Sequence, residues 1–157
     1  MLDINKWEQY GFPREASDVQ GICVHETGND NMNAQELFDY LNDENKTSQG
    51  CHYLIDSNEI IEVMPHNYAV YHTGKGLDWG NRYTIAIEVC SNINDEAFTQ
   101  AKNKAIGLIK SLQDQYNISN DNVFFHIDFN EKTYCPKTLL NLYGSSRRFV
   151  IEELEEN

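Results

Sequence analysis

A chain of 157 residues, 40% of them hydrophobic, is long enough to bury one proper core and too short for two. Its 25 acidic side chains against 12 basic ones give a formal net charge of −13, which excludes a nucleic-acid binder working through a clustered basic face. No apolar run approaches the length of a membrane span, so no membrane insertion is expected.

Residues 1–20 are polar, with Trp7, Tyr10 and Phe12 as isolated anchors and Pro13 as a breaker, and read as an irregular lead-in on the surface. This stretch lacks a basic segment followed by an apolar one, which predicts synthesis in the cytoplasm without an export signal. Residues 21–25 are the first core strand, and a period of two puts Cys23 and His25 on one face and Ile22 and Val24 on the other. A polar loop over 26–30 follows. Asn33 with Glu36 three residues on makes a capping-box pattern, and Leu37, Phe38 and Leu41 mark a short amphipathic helix ending near Asn45.

Strands over 51–56 and 59–64, joined through Ser57-Asn58, form a hairpin that Pro65 ends. Residues 66–82 show neither helical nor strand period and read as a long surface loop, a kind of segment that often carries function. Over 84–90, Ile85, Ile87 and Val89 alternate with Thr84, Ala86, Glu88 and Cys90. Glu88 therefore either faces solvent or lines a pocket whose low polarity raises its pKa, and the residues alone leave both open. Asp95 is the expected cap of a long helix that buries Ala101, Ala105, Leu108, Ile109, Leu112 and Tyr116. A strand over 123–126, a helix over 137–143 stopped by Gly144, and a last helix in 145–157 with Phe149, Val150 and Leu154 as contacts complete the chain. Strands interleaved with helices predict an α/β fold, a single domain over 1–157 with its core at about 21–142 and a central mixed β-sheet flanked by helices.

Cysteines at 23, 51, 90 and 135 follow no disulfide framework and read as reduced thiols. Cys135 differs in its setting, because the polar loop after His126 returns it just before Pro136. His25 closes another strand. Two imidazoles and a thiolate from separate strand ends and a loop would hold a tetrahedral zinc with one open position, the mark of catalysis rather than scaffolding. The bland reading, half-buried strand-end histidines and a core-filling cysteine, stands beside it. Asp128 reads either as a solvated aspartate or as a group orienting the His126 loop. His52 and His66 read as ordinary surface or loop histidines.

Five segments occur in order: Val24-His25-Glu26-Thr27, Cys51-His52-Tyr53-Leu54-Ile55-Asp56, Tyr71-His72-Thr73-Gly74, the run from Asn81 to Cys90, and His126-x-Asp128 leading to Cys135-Pro136. Together they resemble the zinc-dependent N-acetylmuramoyl-L-alanine amidases of the phage-lysozyme and peptidoglycan-recognition-protein superfamily, above all the catalytic domains of phage endolysins. The resemblance implies peptidoglycan as substrate, one zinc ion on His25, His126 and Cys135, Glu88 as general base, and His72 as a substrate-binding residue of the groove. It further implies an enzyme acting on the wall after release; with this net charge, either recognition of the wall is local or a wall-binding domain belongs to a longer parent chain. Two departures bear on mechanism. Cys51 stands where the coliphage enzyme has an assisting tyrosine, and Thr133 stands where many endolysins have lysine, with Lys132 one residue earlier. Resemblance to catalytic peptidoglycan recognition proteins, which have threonine there and the same His-to-Cys interval, implies the assisting role for Thr133, with Lys132 as second candidate. A non-catalytic peptidoglycan-binding module and a hydrolase using Cys135 as nucleophile with His126 as base remain the alternatives.

Overall fold

The polar opening stretch is woven into the core, contrary to the surface lead-in expected of it. In the computed structural model, which describes residues 1–28, 32–43, 47–74, 76–91 and 94–156, a 3-10 turn (Ile4–Lys6) leads into α1 (Trp7–Tyr10) and β1 (Gly11–Pro13). Tyr10 is fully buried and its hydroxyl donates to the Leu41 carbonyl, while Trp7 Nε1 donates to the Leu2 carbonyl. Arg14 is buried as well, its guanidinium donating to the carbonyls of His66, Arg82 and Thr84. Anchors spaced without a period leave no pattern to read, yet Trp7 and Phe12 pack their rings on Tyr68 and Tyr71, and Tyr10 reaches Leu41.

The central strand β2 (Gly21–Glu26) is buried along its whole length. After it, α2 (Ala34–Asn42) opens on the expected capping box: Glu36 N–H donates to Asn33 Oδ1 and Asn33 N–H donates to the Glu36 carboxylate. The helix ends at Asn42; Asn45, its expected end, lies outside the described residues, as do Asn29 and Asp30 of the preceding loop. The hairpin is β3 (Tyr53–Ile55) with β4 (Ile60–Glu62), turned by Asp56, whose carboxylate accepts from the amides of Asn58 and Glu59.

The segment 66–82 is not one loop. It contains β5 (Tyr68–Val70), paired antiparallel with β1, and α3 (Trp79–Tyr83), capped by Asp78. Next come β6 (Thr84–Val89) and the long α4 (Asp95–Tyr116). The cap of α4 is Asn94, whose Oδ1 accepts from Ala97 N–H; Asp95 instead sits in the first turn, where its charge complements the helix dipole. Then follow β7 (Val123–Phe125), α5 (His126–Phe129), α6 (Lys137–Tyr143), ended by Gly144 in the left-handed region, and α7 (Ser146–Val150), which runs on into a wider turn over Ile151–Glu155. His126 thus begins a helical turn instead of closing a strand.

The main sheet has the order β4-β3-β6-β2-β7, with β3, β6, β2 and β7 parallel and β4 antiparallel at the edge. One face, with Ile22, Val24, Ile85, Ile87 and Val89, packs on the Phe98, Ala105, Ile109 and Leu112 stripe of α4. The other, with Leu54, Ala86 and Cys90, packs on Ala34 and Leu41 of α2 and on Tyr10. No helix among the described residues is long and apolar enough to cross a membrane.

The β1–β5 ribbon depends on close backbone approach at Gly11. A Cβ there would meet the Ala69 carbonyl oxygen at 1.8 Å and its carbon at 2.8 Å, both backbone atoms that cannot swing aside. Gly11→Ala is expected to destabilise the fold by about 1–3 kcal/mol, the cost of overpacking a close-packed site, read as a lowered urea midpoint.

Candidate metal centre and groove

Parallel strands converge their carboxyl ends on one rim, and ligands bind outside those ends because the loops there diverge. His25 is the penultimate residue of β2, Glu88 is its register partner on β6, and His126 follows β7 directly. Cys135 arrives on the loop before α6, held by Ile127 N–H donating to the Cys135 carbonyl at 3.0 Å. These four residues line one groove of about 420 Å³ together with Thr27, His72, Asn130 and Thr133. A larger concavity of about 750 Å³ on the C-terminal turns is lined by Arg147, Arg148, Glu152 and Glu153 and holds no histidine or cysteine.

His25, His126 and Cys135 each bring a donor atom within 4.8 Å of the other two. Two imidazoles and a thiol are the donor types that nitrogen- and sulfur-binding transition metals prefer, so the set fits such an ion. His25 Nδ1 points into the site, 3.9 Å from Cys135 Sγ and 4.0 Å from Glu88 Oε1. Burial, reinforced by His72 and His126, holds His25 well below the ordinary imidazole value, and burial lowers His126 too. Both rings are therefore neutral near pH 7, the form that ligates.

Burial pushes the Cys135 thiol up to about 12, with Glu88 and Glu26 adding to it and the Glu26 carbonyl opposing. An incoming cation must displace that proton. Burial, with the Glu26 carboxylate nearby, also pushes Glu88 up to about 8, although 23% of its side chain still reaches the groove. A positive ion beside it would pull that value down.

Several contributors were not legible in the sequence. Glu26 reads as the first residue of a polar loop but instead ends β2 and is buried, and its carboxylate accepts from Leu139 N–H at 2.8 Å at the start of α6. Asn81, fully buried, accepts through Oδ1 from the amides of His72 and Thr73 and so fixes the groove wall. Among the described residues, Thr27 Oγ1 is the buried side-chain oxygen without a hydrogen-bond partner, and Thr27 borders the groove. Thr133 lines the groove, whereas Lys132 is exposed and outside the lining, its amide donating to Asn130 Oδ1. Asp128 accepts from Phe125 N–H at 2.7 Å and folds the turn that carries His126.

His52 is no surface residue: it is fully buried, with Ala86 N–H donating to its Nδ1 and its Nε2 donating to the Tyr68 carbonyl. His66, half-buried, bonds the hydroxyls of Tyr53 and Tyr116. Neither joins a metal-type cluster among the described residues. All four cysteines are free, with Cys23, Cys51 and Cys90 buried.

Fold and donor set define an α/β domain that presents a metal-ready His/His/Cys cluster and a carboxylate at the carboxyl ends of its parallel strands. The chain belongs to the N-acetylmuramoyl-L-alanine amidase family, whose sequence model matches residues 15–138. It is 36% identical over 143 residues to the N-acetylmuramoyl-L-alanine amidase XlyA of Bacillus subtilis (strain 168), covering 84% of this chain and 47% of that protein. The chain spans about half the length of the curated relatives it matches. Its structure matches the catalytic domain of XlyA with a TM-score of 0.78 at 31% identity, covering 90% of this chain and 92% of that one. It also matches a mutant endolysin from Bacillus subtilis with a TM-score of 0.80 at 29% identity, covering 96% and 95%.

Proposed function

We propose that this chain is a zinc-dependent N-acetylmuramoyl-L-alanine amidase that hydrolyses the amide between the lactyl group of N-acetylmuramic acid and the first L-alanine of the stem peptide in peptidoglycan. The observation that carries the reading is the convergence of His25, His126 and Cys135 within 4.8 Å beside Glu88, in a chain of this family. Likeness to an endolysin supports a lytic enzyme that reaches the wall after release from the cytoplasm. With a net charge of −13 the chain gains nothing from a polyanionic wall, so engagement falls to the groove or to a wall-binding module of a longer parent.

An amide resists hydrolysis because water is a weak nucleophile, the carbonyl a weak electrophile and an amine a poor leaving group. His25, His126 and Cys135 would hold the zinc, which when bound would supply Lewis acidity toward water and the carbonyl oxygen. Glu88 takes the proton of the attacking water and passes it to the departing amine nitrogen. Its low-polarity seat raises its proton affinity, and a cation held by the cluster would bring that value back toward neutrality, where a carboxylate is ionised and still able to take a proton. Thr133 offers a hydroxyl to the oxygen on which negative charge builds.

Digestion of purified peptidoglycan tests the reading. New free L-alanine amino termini without new reducing sugars are expected, lost on chelation and restored by zinc. New reducing ends, or chelator-resistant cleavage, would overturn it.

A further inference from the structure

His25 carries two ring nitrogens, and only a lone pair on Nδ1 can serve the cluster that faces Cys135 and Glu88. A neutral imidazole in solution prefers neither nitrogen strongly enough to fix that choice, so the surroundings must impose it. Hydrogen bonds across three buried residues impose it.

The chain starts at a main-chain carbonyl. Thr84 Oγ1 donates its one proton to the Gly80 carbonyl at 2.7 Å. With that proton committed, the hydroxyl can only accept from His72 Nε2, 3.1 Å away, so the proton of His72 sits on Nε2. A neutral His72 then has a bare Nδ1, which faces His25 Nε2 at 2.8 Å and can only accept. The proton of His25 is thereby drawn to Nε2, leaving Nδ1 with a lone pair aimed into the groove. Thr84, His72 and His25 are all buried, so water does not compete for these bonds. The ring of His72 is held in turn by its own amide, which donates to Asn81 Oδ1 at 2.7 Å.

We propose that His72 is a positioning residue for the metal ligand His25, the middle link of a Gly80–Thr84–His72–His25 relay that fixes the tautomer and orientation of His25, rather than a substrate-binding residue. The relay rests on the reading of His25 as a metal ligand. It also accounts for the other His/Cys group among the described residues, Cys23 with His25 and His72, without a second ion: Cys23 Sγ lies 3.3 Å from the same His25 Nε2 that donates to His72.

The test separates the relay from the metal. In nitrogen-15 spectra of the metal-free protein, His25 is expected as a single tautomer protonated on Nε2, and His72 likewise. His72→Phe keeps the bulk but removes the acceptor. It is expected to scramble the His25 tautomer and to weaken zinc, measured by chelator competition, by roughly 10- to 100-fold, the usual cost of losing a partner behind a ligand. His72→Asn places an amide oxygen near the lost Nδ1 and is expected to restore affinity to within a few fold. If His72→Phe fails to fold, Thr84→Val breaks the next link, with Thr84→Ser as its rescue. A His25 protonated on Nδ1 in the wild type would overturn the relay. So would wild-type zinc affinity in folded His72→Phe, and an effect confined to KM would return His72 to the substrate. Failure of the wild-type protein to bind zinc would sink the metal reading while the tautomer spectrum still judged the relay.

Discussion

Glu88→Gln is expected to lower amide hydrolysis by roughly 10²- to 10⁴-fold, the span that a positioned general base contributes, while zinc content and muropeptide binding stay at wild-type levels. The substitution keeps shape and hydrogen bonding but cannot accept a proton, and Glu88 is not among the three clustered donors. Hydrolysis near the wild-type rate would remove Glu88 from its assigned role. The same variant carries a second, opposite signature. Burial lifts the folded-state value from 4.5 to about 8, so between those limits the folded metal-free protein holds a proton that the unfolded chain releases. Stability from this group is fully present below the unfolded value and is lost as pH rises through the folded one. Metal-free Glu88→Gln should therefore be more stable than metal-free wild type at pH 8, by on the order of a few kcal/mol at about 1.4 per pKa unit, and match it near pH 4, as read from denaturant unfolding. Zinc loading should shrink that gap, since the ion's charge favours the carboxylate. A catalytic variant that is more stable when empty and inactive when loaded is hard to explain by misfolding.

Local signals made the frame of this fold legible, and long-range ones hid the rest. The strand period of 84–90 separates Ile85, Ile87 and Val89 from Ala86, Glu88 and Cys90, and the two faces do enter different core clusters. The Asn33–Glu36 pair and the helix over 137–143 likewise rest on contacts within a few residues, which sequence spacing reports directly. By contrast β1 and β5 are three residues each, too short to show a period, and each exists because of a partner 55 to 59 positions away. Arg14 lies in the stretch expected at the surface, and His52 reads as an ordinary surface or loop histidine. Both are buried because main-chain carbonyls and an amide of distant segments satisfy them. At the site, residue types alone proposed the His25, His126 and Cys135 trio, but the inward turn of His25 Nδ1 is a matter of tautomer. That depends on Thr84 and Gly80, which no spacing rule connects to it.

Removing one donor should cost more than removing a group behind a donor. Cys135→Ala is expected to weaken zinc beyond the roughly 10- to 100-fold typical of an outer partner, and to abolish hydrolysis at stoichiometric metal. The melting temperature in excess zinc should fall toward that of the metal-free protein, because an ion that binds only the folded state stabilises it in proportion to the logarithm of its affinity. The variant also decides between two roles for this thiol. A nucleophilic cysteine needs a depressed pKa, yet burial and the carboxylates of Glu88 and Glu26 push this one up to about 12, so without an ion it is a protonated and sluggish thiol near pH 7. Cys135→Asp offers a carboxylate ligand in place of the thiolate and is expected to recover part of the zinc binding and measurable hydrolysis that Cys135→Ala loses. A nucleophile would tolerate neither substitution and would be inactivated by alkylation regardless of metal. If Cys135→Asp holds zinc but shows no turnover, while alkylation of the wild type proceeds equally fast with and without zinc, the sulfur is reacting with substrate rather than holding an ion.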